Sequence, residues 1–193
     1  MIDFPLRQLL PALLILPLVG CAAGSPPLVP RGLQANQLPI DLDRFMGDWH
    51  VLAHIPTRPE RNAYDALEQY TLREDGRIDI RFTFCEGAPD GPFEAMEMIG
   101  WVHDDETKAE WRVRPFWPLR LGYQILELDP DYSLTVIGHP SRRYAWVMAR
   151  RPEIEAETLS AITERLAERG FDTDRLRLVP QSAERCRAAA SGP

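Results

Sequence analysis

The eight residues 77–84, RIDIRFTF, constrain the fold more than any other segment. Ile78, Ile80, Phe82 and Phe84 fall on one side of an extended chain, and Arg77, Asp79, Arg81 and Thr83 on the other. A period of two means a strand with one buried and one wet face. Comparable short runs occupy residues 49–55, 64–73, 94–103, 108–114, 119–128, 132–139 and 144–150. Breaks separate them at Glu74-Asp75-Gly76, at residues 87–91, and at Asp104-Asp105, Asp129-Pro130 and Pro140-Ser141. Eight antiparallel strands joined by short turns leave two open edges, and closure into an up-and-down barrel removes both. An eight-stranded barrel encloses a space that side chains fill or that holds one small ligand.

Pro152 then precedes EIEAETLSAITERLAERG, in which Leu159, Ile162 and Leu166 recur on one helical face and Gly170 stands at the C′ position. The expected fold is therefore all-β. It is an eight-stranded antiparallel up-and-down barrel with one C-terminal α-helix packed on the outside. Residues 41–46 read as a 3₁₀ turn before the first strand, and residues 174–179 as a short ninth strand.

The N-terminus is of another kind. Residues 4–20 carry an apolar run from Leu9 to Val19, too short to span a bilayer and of the length of a signal-peptide core. It closes on Leu18-Val19-Gly20-Cys21, which resembles the lipobox of bacterial lipoproteins. That resemblance implies removal of residues 1–20, lipidation of Cys21 and sorting to the outer membrane. Residues 21–40 would then be the lipidated cysteine and a Pro/Gly/Ala-rich tether. Residues 41–181 would form the barrel and helix, and residues 182–193 a tail.

Composition removes several function classes. The formal charge of −7, with no Lys/Arg cluster, leaves no face for nucleic acid. Three cysteines and four histidines (His50 and His54 four residues apart on one run, His103 and His139 on two others) give no metal-ligand spacing. No Ser-His-Asp motif, phosphate-binding glycine loop or Cys-His pair is visible, so neither catalytic residue, metal nor cofactor is expected. Glu68 is the one candidate inward carboxyl that would suit acid–base work.

Three short segments carry a family resemblance. They are Gly47-Asp48-Trp49 at the head of the first run, Asp129-Pro130-Asp131-Tyr132 between the sixth and seventh, and residues 144–150 ending in Arg150. In this order they resemble the signatures of the lipocalins. Residues 122–129 and Gly170-Phe171-Asp172 are similar to the bacterial branch of that family. The resemblance implies a structural role for Gly47, Trp49, Asp131, Tyr132 and Arg150, with Trp49 plugging the barrel floor and Arg150 stacked on it. It implies a ligand among inward residues of the open half. The candidates are Tyr70, Phe82, Phe84, Met98, Trp111, Tyr123, Trp146 and Met148, with plain barrel core as the alternative for each. Arg114 or Arg120 in the mouth sequence would meet an anionic head group, or simply be solvated.

Fatty acids or lysophospholipids are the implied ligands, on a monomer or weak dimer tethered to a membrane by its lipid. Many lipocalins also tie the C-terminal tail to the barrel, and Cys85 and Cys186 could pair likewise in an oxidising compartment. Two other readings stand beside this one: an envelope lipoprotein whose barrel is filled by its own side chains, and an enzyme acting on a small apolar substrate.

Overall fold

The computed structural model describes residues 39–182. The expected signal segment, the lipidation site Cys21, most of the tether and Cys186 lie outside the described residues. Eight strands run β1 (Gly47–Ile55), β2 (Ala63–Leu72), β3 (Arg77–Glu86), β4 (Phe93–Val102), β5 (Glu110–Arg114), β6 (Leu121–Leu128), β7 (Leu134–Gly138) and β8 (Ala145–Ala149). Each pairs antiparallel with the next, and β1 pairs with both β8 and β2, which closes the barrel.

Closure depends on a bulge. β1 pairs with β2 only from Gly47↔Tyr70 to His50↔Leu67, and its register against β8 shifts between Val51 and Ala53. Beyond His50 the two strands part. The gap is filled by the short strand β9 (Arg177–Leu178), which pairs with Ala53 and His54 of β1. Val179 donates its N–H to the Leu52 carbonyl, Asp65 donates to that of Pro180, and the Gln181 amide donates to that of Val51. The chain after the helix thus satisfies backbone groups that an imperfectly closed barrel would leave open.

Turn chemistry sets the strand ends. Residues 41–46 form one α-helical turn, α1 (Leu42–Phe45), rather than the expected 3₁₀ turn. Its backbone bonds run from Phe45 and Met46 back four residues, and the Asp41 carboxylate caps Arg44 N–H at 3.2 Å. β5 starts at Glu110 because the Asp104 carboxylate first binds the Glu106 and Thr107 N–H groups. β7 starts at Leu134 because Asp129 holds Ser133 and Leu134 by their N–H groups, at 2.6 and 3.1 Å.

Helix α2 (Ala156–Glu168) covers the outer face of β1, β7 and β8. Ile162 and Leu166 are buried there with Phe171 against Ala53, Ile55, Val136, Ala145 and Val147. Gly138 admits the close approach: a Cβ there would lie 2.6 Å from Leu126 and 2.8 Å from Phe171. Gly170 takes φ +82° just past the helix, as a C′ residue does.

Candidate ligand-binding cavity

The closed end is an aromatic plug. Phe45 packs on Trp49 at 5.1 Å, on Tyr70 at 5.5 Å and on Trp111 at 5.3 Å, and Trp111 stacks on Tyr123 at 5.2 Å. The Trp49 indole is fully buried and donates to the Phe45 carbonyl at 2.8 Å. The Arg150 guanidinium lies over its ring, 3.8 Å from the centroid. It donates to five carbonyls, those of Arg44, Phe45, Met46, Asp48 and Tyr132. One cation thereby ties α1, the start of β1 and the turn before β7 to the end of β8. Gly47 adopts φ +94° with room for a Cβ only at 3.4 Å from Arg150. Tyr132, at φ +59°, stacks under Arg44 and accepts from the Asp41 N–H. Asp131 has no such part. It is exposed, and Asp129 is the acid that holds the turn, because its side chain alone points back at the N–H groups of Ser133 and Leu134.

Above the plug the barrel is hollow. A cavity of about 550 Å³ opens between the β1–β2, β5–β6 and β7–β8 connections. Phe82, Met98, Tyr123 and Trp146 line it, joined by Ile80, Met96, Val113 and Leu121. The barrel is therefore not filled by its own side chains.

Other expected ligand residues lie elsewhere. Tyr70, Trp111 and Met148 are buried one level nearer the closed end, within the core beneath the cavity. Phe84 packs on Phe82 at 5.2 Å and is buried toward the open end of β3, outside the cavity lining. Strand alternation determines which face points inward; it carries no information about depth along the barrel axis. Arg114 has the opposite parity to Val113 and does not line the cavity. Arg120 sits over Trp101 at 5.2 Å, also away from it. The cations at the mouth are instead Arg58 and Arg143, in connections where no periodicity marks a residue as inward.

The interior also holds acids. Glu68, on β2, is 6% exposed and lines the cavity. Its Oε2 accepts a hydrogen bond from the Tyr70 hydroxyl, which lies 2.7 Å from that of Tyr123. Glu60, in the β1–β2 connection, accepts from the Trp146 indole N–H at 2.9 Å. Burial pushes the Glu68 carboxyl up to about 8, and the charge of Glu60 adds to the rise. Burial likewise raises Glu60, against the hydrogen bonds from Thr57 and Trp146 that favour its charged form. His54 is held down at about 4 by burial and by the Arg177 charge. It is neutral at pH 7, so its 3.9 Å approach to Glu60 is not an ion pair, and its Nδ1 is buried without a hydrogen-bond partner. No group of three or more His, Cys, Asp or Glu among the described residues is arranged to hold a metal ion.

A hollow eight-stranded barrel, plugged at one end by a Trp–Arg pair and flanked by one helix, defines a class of small-ligand-binding proteins. A family model described as the Lipocalin-like domain matches residues 40–181, and the chain belongs to the lipocalin family. It is 33% identical to Temperature-induced lipocalin-1 of Arabidopsis thaliana over 149 residues, 74% of this chain and 80% of that protein. It is 30% identical to Outer membrane lipoprotein Blc of Escherichia coli (strain K12) over 176 residues, 86% of this chain and 97% of that protein. Among solved structures, insecticyanin from the tobacco hornworm Manduca sexta superposes with a TM-score of 0.57 at 16% identity. The match covers 81% of this chain and 86% of that one, a likeness of fold alone.

Proposed function

We propose that this protein reversibly carries a single-chain amphiphile, a fatty acid or lysophospholipid, at the bacterial outer membrane. The observation that carries the reading is the cavity itself. About 550 Å³ of space is walled by aromatic, branched and methionine side chains, and soft thioethers fit a flexible chain. Each buried CH₂ contributes roughly 0.8 kcal/mol, so an acyl chain reaches micromolar affinity after the costs of association. Its anionic head would stay at the mouth, where Arg58 and Arg143 stand. The process is burial and release, with no covalent step.

The surroundings of the mouth support exchange with a bilayer. Among the described residues, four large apolar side chains are exposed, and three of them (Phe116, Trp117 and Leu119) share the β5–β6 connection. Trp117 is 82% exposed, as a side chain that enters a lipid interface would be. Lipidation of Cys21 and a tether through residue 40 would hold the barrel at the membrane, in keeping with the outer-membrane lipoprotein relatives.

A tryptophan-fluorescence titration of delipidated protein with a lysophospholipid and a chain-matched fatty acid tests this. One saturable site per barrel with micromolar affinity is expected. A flat response to both from folded protein would overturn the proposal.

A further inference from the structure

We propose that the interior of the cavity is a binding site for the ammonium group of a single-chain alkylamine, received between Glu60 and Glu68. This rests on the reading of the barrel as an amphiphile carrier and names a second head-group class for it.

Glu60 and Glu68 are both more than nine-tenths buried, and both face the same space. Glu68 accepts from Tyr70 through Oε2, and its carboxyl lines the cavity. An alkyl tail end lodged there would offer that carboxyl no donor. A carboxylate or phosphate inserted head first would bring a further charge into a space where burial already opposes the ionisation of two carboxyls. An ammonium group answers both problems. It donates three N–H bonds and neutralises a carboxylate.

Among the described residues, the one basic side chain within 4 Å of either carboxyl is His54, and burial keeps it neutral. The Tyr123–Tyr70 hydroxyl pair runs toward Glu68, and Tyr123 lines the cavity. Its oxygen is a further acceptor for an N–H.

In the empty barrel Glu68 holds its proton until about pH 8. An alkylammonium ion enters charged, the Glu68 proton leaves to solvent, and the cavity keeps its net charge. The titratable groups facing Glu68 are Tyr70 on its own strand, Tyr123 from β6 and Glu60 from the β1–β2 connection. His54 from β1 borders Glu60, and Arg58, His139 and Arg143 line the mouth of the same cavity. His54 stays neutral and Tyr123 stays protonated over this range, and burial holds His139 below its ordinary value. Amine affinity therefore rises roughly tenfold per pH unit up to about 8 and then levels.

The test is calorimetric binding of dodecylamine, dodecanol and dodecanoate to the full chain at pH 6, 7 and 8, with Glu68→Gln and Glu60→Gln beside it. At pH 8 we expect at least a tenfold preference for dodecylamine over dodecanol, which falls toward pH 6 and is lost in Glu68→Gln, with release of close to one proton per amine at pH 7 and about half a proton at pH 8. Equal affinity for amine and alcohol at pH 8, or a preference that survives both substitutions, would overturn the amine site while dodecanoate binding still upheld the carrier. Failure of all three ligands to bind folded protein would sink the carrier reading and this one together. Should Glu68→Gln not fold, the pH series on the unsubstituted chain and Glu60→Gln decide.

Discussion

At the scale of single residues, two side chains govern opposite ends of the barrel. Arg150 stacks on Trp49 and donates to five carbonyls. Its removal leaves those acceptors unpaired beside a buried indole, at a cost of about 3 kcal/mol. Arg150→Ala should lower the denaturation midpoint strongly and, under conditions where the protein stays folded, leave ligand affinity within about twofold. Unchanged stability with lost binding would place Arg150 in the ligand site instead. Glu68 acts through its proton. Below its ordinary value of 4.5 the carboxyl is protonated in both folded and unfolded chains. Between 4.5 and about 8 only the folded barrel keeps the proton, so this group's contribution falls as pH rises, by about 1.4 kcal/mol per unit, and is exhausted above 8. His54 has the reverse slope. Its contribution is lost as pH falls from 6.5 toward about 4. Melting temperature should therefore drop from pH 6.5 to 8, and Glu68→Gln should flatten that drop; an undiminished drop in the variant would refute the assignment.

At the scale of elements, α2 is joined to the barrel by two kinds of contact of unequal strength. Ile162 and Leu166 are buried against the outer face of β1, β7 and β8. Beside them, buried Glu127 accepts from the Arg165 guanidinium at 2.7 Å and pairs with Arg169 at 3.1 Å. Both arginines remain partly exposed and return to water when the carboxylate is removed. Leu166→Ala should cost about 2–4 kcal/mol in denaturant unfolding, and Glu127→Ala about 1 kcal/mol. A larger loss for Glu127→Ala would reverse the ranking of packing over charge at this interface.

At the scale of the whole molecule, the barrel divides into a solid half and a hollow half, and the segments that flank the strands bind the two together. Ile40 reaches across the closed end to the Thr107 carbonyl, while residues 177–181 fill the gap between β1 and β2. Cys85, at the end of β3, is disulfide-bonded, and its partner lies outside the described residues. We propose Cys186 as that partner, closing a loop of about 100 residues worth up to about 4–5 kcal/mol of chain entropy. Thiol titration of unreduced protein beginning at Ala22 should find no free cysteine; two reactive thiols would remove the bridge.

What the sequence by itself determined follows from its local periods. The alternation of residues 77–84 specified a half-buried strand, and the recurrence of such runs between turn residues specified a barrel. The 3.6-period stripe of Leu159, Ile162 and Leu166 specified the helix. Trp49 and Arg150 were legible as a pair because fixed motifs mark them. Depth, register and the loops were not legible. Tyr70, Trp111 and Met148 have the same inward parity as residues that line the cavity, yet the tertiary structure places them in the plug. Arg58, Glu60 and Arg143 reach the cavity only because the connections that carry them fold over the mouth. The bulge at Val51–Ala53 inverts the faces of β1 at its midpoint, which no count from Trp49 anticipates. Periodicity is a property of neighbours in the chain; a cavity belongs to residues brought together across the barrel, and only closure decides which of them meet.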